Sequence, residues 1–72
     1  MTGKSKKEYK IVDTFNGHVY GYADTERDAD EKVERIARSL RKKRISPHIN
    51  YVPQSYEWLW NYRMNEWEWM EP

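Results

Sequence analysis

The chain has no cysteine, which excludes a disulfide framework, a thiolate metal site and a thiol nucleophile. Its three glycines stand singly, so no glycine-rich loop is available to cradle a phosphate. No apolar run approaches the roughly 20 residues needed to cross a bilayer. The early lysines Lys4, Lys6 and Lys7 are not followed by an apolar stretch, so neither a membrane span nor a secretory leader is expected. A cytoplasmic location is the simplest expectation for such a chain. Histidine is also scarce. His18 and His48 fall on different predicted elements, neither with a carboxylate or second histidine at metal-ligand spacing, and both read as structural or merely exposed. No metal or other cofactor is expected.

Catalytic signatures are missing as well. Ser5, Ser39, Ser46 and Ser55 lack a nucleophile motif. The carboxylate pairs Asp28 with Asp30 and Glu31 with Glu34 lie in a predicted helix, where solvation and spacing to Lys32 and Arg35 account for them. One helix on one sheet seldom encloses a cleft. The chain is therefore read as non-enzymatic, with no catalytic residues.

What is abundant is charge and aromatic area. Charged residues are 35% and aromatics 15% of 72 residues. The net charge is only +1, but the charges are segregated: residues 1–10 carry +3, 11–34 carry −5, 35–53 carry +6 and 54–72 carry −3. A single domain of this length buries roughly 60% of the surface its unfolded chain exposes. It needs nearly all its large side chains inside, each aromatic covering roughly 150–250 Å². Six of the eleven aromatics lie between Tyr56 and Trp69, so at least part of that tail is expected to be structural.

The organising element is the stretch Asp24 to Arg44. Ala29, Val33, Ile36, Ala37 and Leu40 recur at helical spacing on one stripe. Thr25 with Asp28 makes a capping-box-like start, Arg41 to Arg44 suit the negative end of the helix dipole, and Pro47 closes the segment. Before it, Glu8 to Phe15 and His18 to Ala23 flank Asn16-Gly17, the pair best suited to a two-residue type I′ hairpin turn. That turn would oppose Phe15 with His18, Asp13 with Tyr20 and Ile11 with Tyr22. Val12, Thr14, Val19, Gly21 and Ala23 would then form a small second face. The helix is expected to dock Val33, Ile36 and Leu40 on Val12, Val19 and Ala23, with Gly21 leaving room for its backbone. Burial area favours the rival face, Tyr9, Ile11, Phe15, Tyr20 and Tyr22. Ile45 to Val52 reads as a third strand, confined by Pro47 to an edge or a strand start.

In the tail, Tyr56, Trp58, Trp60 and Tyr62 alternate with polar or aliphatic residues, and Trp67 and Trp69 alternate with Glu66 and Glu68. A fold at Arg63-Met64, or a four-residue loop Tyr62 to Asn65, sets Trp60 opposite Trp67 and Trp58 opposite Trp69. A helix over the same segment would strand Trp58, Tyr62 and Trp69 on the far side. The expected fold is α+β: an antiparallel sheet of a hairpin and a third strand with the helix on one face, plus an aromatic C-terminal β-hairpin. Residues 1–7 form a flexible basic arm, 8–53 a ββαβ domain and 54–72 an aromatic hairpin or tail packed on it.

Two binding surfaces follow. Trp58, Trp60, Trp67 and Trp69, with Tyr20 and Tyr22, are candidates for contact with a protein partner or for the seam of a homodimer, since tryptophan and tyrosine dominate protein–protein hot spots. Arg38, Arg41, Lys42, Lys43 and Arg44 form the alternative, a phosphate-contacting patch for nucleic acid. Glu57, Glu66, Glu68 and Glu71, interleaved with the aromatics, oppose base stacking on the tail.

The hairpin, Tyr22-Ala23-Asp24-Thr25, Ala29 in a helix and the following strand resemble, over residues 9–52, the small RNA polymerase inhibitor of T7-like phages. The resemblance implies a compact ββαβ-type domain without catalysis that binds a host enzyme. The tryptophan tail has no counterpart in that family, and no functional residue is carried over.

Overall fold

The computed structural model describes residues 8–72; the expected basic arm, 1–7, lies outside them. Five strands and one helix follow in the order β1 (Tyr9–Asp13), β2 (Val19–Ala23), α1 (Glu26–Lys42), β3 (Ile49–Pro53), β4 (Glu57–Asn61) and β5 (Glu66–Met70). They make an antiparallel three-stranded sheet of order β2-β1-β3 and a separate antiparallel β4-β5 hairpin. This is the expected α+β architecture.

The helix forms where its stripe and caps dictate. Thr25 Oγ1 accepts the Asp28 N–H at 3.1 Å, satisfying one of the donors that a helix start leaves without an intrahelical partner. At the other end Arg44 takes a left-handed φ of 63°. The Arg44 N–H donates to the Arg41 carbonyl and the Ile45 N–H to the Leu40 carbonyl, a cap that glycine usually supplies. Of the stripe, Ala29 and Ala37 are buried and Val33, Ile36 and Leu40 half-buried.

The first hairpin departs from the expected register. Its turn is a four-residue loop, Thr14 to Gly17, closed by the Asp13 N–H donating to the His18 carbonyl at 2.8 Å. The Asp13 Oδ1 accepts the N–H groups of Phe15 and Asn16 at 2.7 and 3.0 Å. Only Gly17, with φ +81°, is left-handed in this loop, so the two positive φ angles of a type I′ turn are not formed. Tyr9 consequently opposes Ala23, Ile11 opposes Gly21 and Val12 opposes Val19, with a register shift between Ile11 and Val12 that leaves Tyr20 as the bulged residue. Phe15, expected in the strand opposite His18, lies in the loop and stacks on His48 at 5.4 Å.

A slip of this size exchanges faces. The helix packs over Ile11, Ala23, Tyr9, Ile49 and Tyr51, combining the large face of β1 with the small face of β2. Docking on Val12 and Val19 is thus overturned; from the rival face Tyr9 and Ile11 are retained, while Phe15, Tyr20 and Tyr22 are exposed. Gly21 does not receive the helix backbone either, since a Cβ there would meet nothing within 4 Å. The third strand begins at Ile49, later than Ile45, and runs along the edge beside β1. Tyr51 fixes it to the helix start: its hydroxyl donates to Glu26 Oε2 at 2.8 Å, and its ring meets Tyr9 edge-on at 5.5 Å.

Ile11 and Val12 are the largest fully buried side chains, and as neighbours in a strand they point to opposite faces. The helix covers the first. The aromatic hairpin meets the second face, where the Trp69 indole N–H donates to the Asp13 carbonyl at 3.0 Å and the Lys10 ammonium lies 5.3 Å from the Trp69 ring centroid. Lys10 Nζ also donates to the Tyr56 carbonyl at 2.7 Å. Gly17 lies against Trp58, so close that an added Cβ would sit 2.6 Å from the indole.

Two outcomes follow. Gly17→Ala incurs both a left-handed φ and a clash with Trp58, and a loss of roughly 2–4 kcal/mol is expected in urea unfolding; Gly17→Asn, which tolerates the φ, should recover only the conformational part. Separately, the Glu26 hydrogen bond, followed by desolvation and the charges of Glu26 and Asp30, pushes the Tyr51 hydroxyl up to about 12. Its folded-state value lies above the unfolded value near 10, so its contribution to stability is complete below about pH 10 and is lost as pH rises through about 12. Tyr51→Phe should remove that alkaline loss, and the latest step in the phenolate absorbance titration with it.

Candidate functional site

The strict alternation of the tail produces the second sheet in the expected register. Trp58 opposes Trp69 and Trp60 opposes Trp67, and opposed residues share a face. The chain turns through Tyr62 to Asn65 by the device used in the first hairpin: Asn61 Oδ1 accepts the N–H groups of Arg63 and Met64 at 2.9 and 3.1 Å. The left-handed residue here is Asn65, with φ 61°.

The four indoles form a continuous ladder. Trp69 meets Trp58 at 5.6 Å, Trp58 lies nearly parallel to Trp67 at 6.4 Å, Trp67 meets Trp60 edge-on at 5.7 Å, and Trp60 meets Tyr62 edge-on at 6.5 Å. Such pairs contribute roughly 0.5–1.5 kcal/mol beyond area burial. The ladder is anchored at one end and open at the other. Trp69 and Trp58 are held against β1 and the Thr14–Gly17 loop and are half-buried, as is Trp60. Trp67 is 52% exposed and Tyr62 87%, with exposed Met64 beside them in the turn.

A groove of about 310 Å³ borders the open end, lined by Thr14, Val52, Glu66, Trp67, Glu68 and Trp69. It joins the second face of the three-stranded sheet to β5. Glu68 is oriented by a hydrogen bond from the Asn61 side-chain amide, and Glu66 is exposed.

The structure does not bring Tyr20 and Tyr22 into this group. Both are exposed on β2 and border a notch of about 250 Å³ over Gly21, with Lys32, Arg35 and the apolar Ile11 and Ile36. The ring partner of Tyr20 is His18, edge-on at 4.6 Å, and burial, then the Asp13 carboxylate, raises its hydroxyl pKa. Lys32 closes this edge by donating to the Tyr22 carbonyl at 2.7 Å and pairing with Asp28 at 3.3 Å.

The basic residues Arg38, Arg41, Lys42, Lys43 and Arg44 are all exposed at the end of α1. Arg38 reaches Glu34 at 3.9 Å, a weak exposed pair. Among the described residues the cation seen over a ring is Lys10, over Trp69, and not one of this cluster. Among the described residues no group of His, Asp or Glu is placed to hold a metal ion, and no helix is long and apolar enough to cross a membrane.

Sequence reasoning missed Val52 and Thr14 as neighbours of the tryptophans. Their side of the groove depends on which sheet face the tail covers, and the shifted register decides that. Comparison with protein-family models, curated proteins and solved structures finds no match to this chain.

The anchor can be tested apart from the open end. Trp69→Phe keeps a ring but removes the donor to the Asp13 carbonyl, and a loss of about 1 kcal/mol in unfolding free energy is expected. It should be accompanied by a weakened near-ultraviolet circular dichroism signal from the remaining indoles.

Proposed function

We propose that this chain is a small, non-enzymatic protein-binding module whose contact surface is the open end of the tryptophan ladder, centred on Trp67 and Tyr62. The observation that carries the reading is the asymmetry of the ladder. Its inner rings hold the hairpin on the domain, whereas its outer rings are exposed although the fold is short of buried apolar area. Large contiguous apolar exposure on a small domain marks an interaction surface, and tryptophan and tyrosine are the residues that concentrate binding energy at such surfaces. A partner that is a host enzyme or defence protein, held in an inhibited state, is the specific form of this proposal; its support is the phage-inhibitor resemblance of residues 9–52.

A second reading, nucleic-acid binding at Arg38 to Arg44, has as its support the contiguous exposed cations at the helix end. One experiment separates the two. The tagged protein and the double variant Trp67→Ala/Tyr62→Ala are each used to capture material from bacterial lysate, with and without nuclease. A protein retained by the first and lost by the variant, in the presence of nuclease and with the variant still folded, is the expected result. Equal retention by both proteins rejects the ladder as the contact surface. Capture that disappears with nuclease and weakens steeply with salt transfers the function to the helix end.

A further inference from the structure

The edges of the two sheets are not alike, and the difference indicates how a partner sits on the ladder, an inference that rests on the proposed protein-binding reading. We infer that β5 pairs through its free edge with an extended segment of a protein partner, a segment in which basic residues alternate with apolar ones.

A strand at a sheet edge presents unpaired N–H and C=O groups on alternate residues, and proteins blunt such edges with lysine, proline, bulges or side-chain cover. The edge strands here are β2, β3, β4 and β5, and all but the last are blunted. On β2, Tyr20 is bulged out of register and Lys32 donates to the Tyr22 carbonyl at 2.7 Å. On β3, the Tyr51 N–H donates to Asn50 Oδ1 at 2.8 Å, and Pro53 ends the strand without a donor. At the entry to β4, Lys10 donates to the Tyr56 carbonyl at 2.7 Å, and Gly17 lies against Trp58. β5 has none of these devices. Glu66-Trp67-Glu68-Trp69-Met70 contains no proline or lysine, and its register with β4 is unbroken. Among the described residues its backbone bonds to β4 alone.

The groove of about 310 Å³ gives this edge room. Glu66, Trp67, Glu68 and Trp69 all line it, with Thr14 and Val52 across from them. Consecutive residues of a strand point to opposite faces, so a groove that touches four in a row borders the backbone edge.

The two faces then dictate what a paired strand must carry. Trp67 and Trp69 share one face with Trp60 and Trp58, whereas Glu66 and Glu68 share the other with Asn61, whose amide donates to Glu68. An added strand places alternate side chains beside the indoles and the intervening ones beside the carboxylates. Apolar residues suit the first set and arginine or lysine the second, and the −3 charge of residues 54–72 favours the same sign. A second copy of this chain fits less well. Antiparallel pairing about the middle of β5 sets Glu68 against its own counterpart, and like charges directly opposite are destabilising.

The probes are dye-labelled peptides of one length in which arginine alternates with valine, glutamate alternates with valine, or the arginines and valines stand in two blocks. In anisotropy titrations of the full chain at physiological salt, the alternating arginine peptide should bind at least about tenfold more tightly than either of the others. In NMR it should slow amide exchange at every second residue of β5 and leave α1 unchanged. Glu66→Lys/Glu68→Lys should transfer the preference to the alternating glutamate peptide. Glu31→Lys/Glu34→Lys, which changes the net charge equally on the exposed face of α1, should not. Equal affinity for the alternating and blocked arginine peptides, or protection that misses β5, overturns strand pairing. An equal shift of preference in both variants overturns the assignment of basic residues, because the preference is then bulk charge. Protection of β5 without peptide, growing with protein concentration, gives the edge to a second copy and overturns the partner segment. Binding of no peptide also rejects the inference, and the lysate capture then decides separately whether the ladder is a contact surface.

Discussion

Asp13 is the residue on which the two halves of this molecule depend. It ends β1, is buried with 8% residual exposure, and engages its carboxylate, its N–H and its carbonyl. Its carboxylate organises the Thr14–Gly17 loop through two backbone N–H groups, and its own N–H closes that loop on His18. Its carbonyl accepts from Gly17 at 3.2 Å and from the Trp69 indole at 3.0 Å, filling both lone pairs. The loop places Gly17 under Trp58, so the same residue that shapes the turn prepares the surface on which the tryptophan hairpin sits. Burying a carboxylate is costly, and the two N–H groups on Oδ1 offset that cost.

The consequence for β1 is that both its faces are covered although the sheet has only three strands. The helix stripe takes the Ile11 side, and the side of Val12 and Lys10 meets Trp69. Neither cover alone would suffice for a chain this short, where a single face of one sheet buries too little apolar area to offset the ordering of the backbone. The aromatic tail is therefore structural at its anchored end, Trp69 and Trp58, while Trp67 and Tyr62 at the other end of the same ladder stay exposed.

Much of this was legible in the residues. The helix limits follow from Thr25 and the apolar stripe, and the tail register follows from alternation alone, because only one pairing opposes all four tryptophans across a turn of the available length. The first hairpin was harder. Asn16-Gly17 carries a strong type I′ signal, yet the loop is governed by Asp13, four residues before the left-handed Gly17, as Asn61 stands four residues before the left-handed Asn65. An aspartate that can accept the N–H groups two and three residues on, here those of Phe15 and Asn16, outcompetes the local preference of the Asn-Gly pair. Once the loop is two residues longer, with Tyr20 bulged out, the faces exchange and the helix moves. Tyr20 and Tyr22 in consequence stand on β2 apart from the tryptophans, whereas Val52 and Thr14 lie beside Trp67 and Trp69. The basic helix end was visible as a run, but nothing in the run shows that Arg44 adopts a left-handed backbone to cap the helix.

The topology also sets an order of events. The β4-β5 pairing joins residues close in sequence, beginning with Asn61 and Glu66, and hairpins of this kind close in roughly 1–10 μs. The β1-β3 pairing must bring Asp13 to Ile49 across the intervening hairpin and helix, a longer loop with a larger closure cost. The Trp69 indole N–H reaches the Asp13 carbonyl only when the turn after β1 and the β4-β5 hairpin are both in place, so its protection from solvent exchange reports the docking of one hairpin on the other.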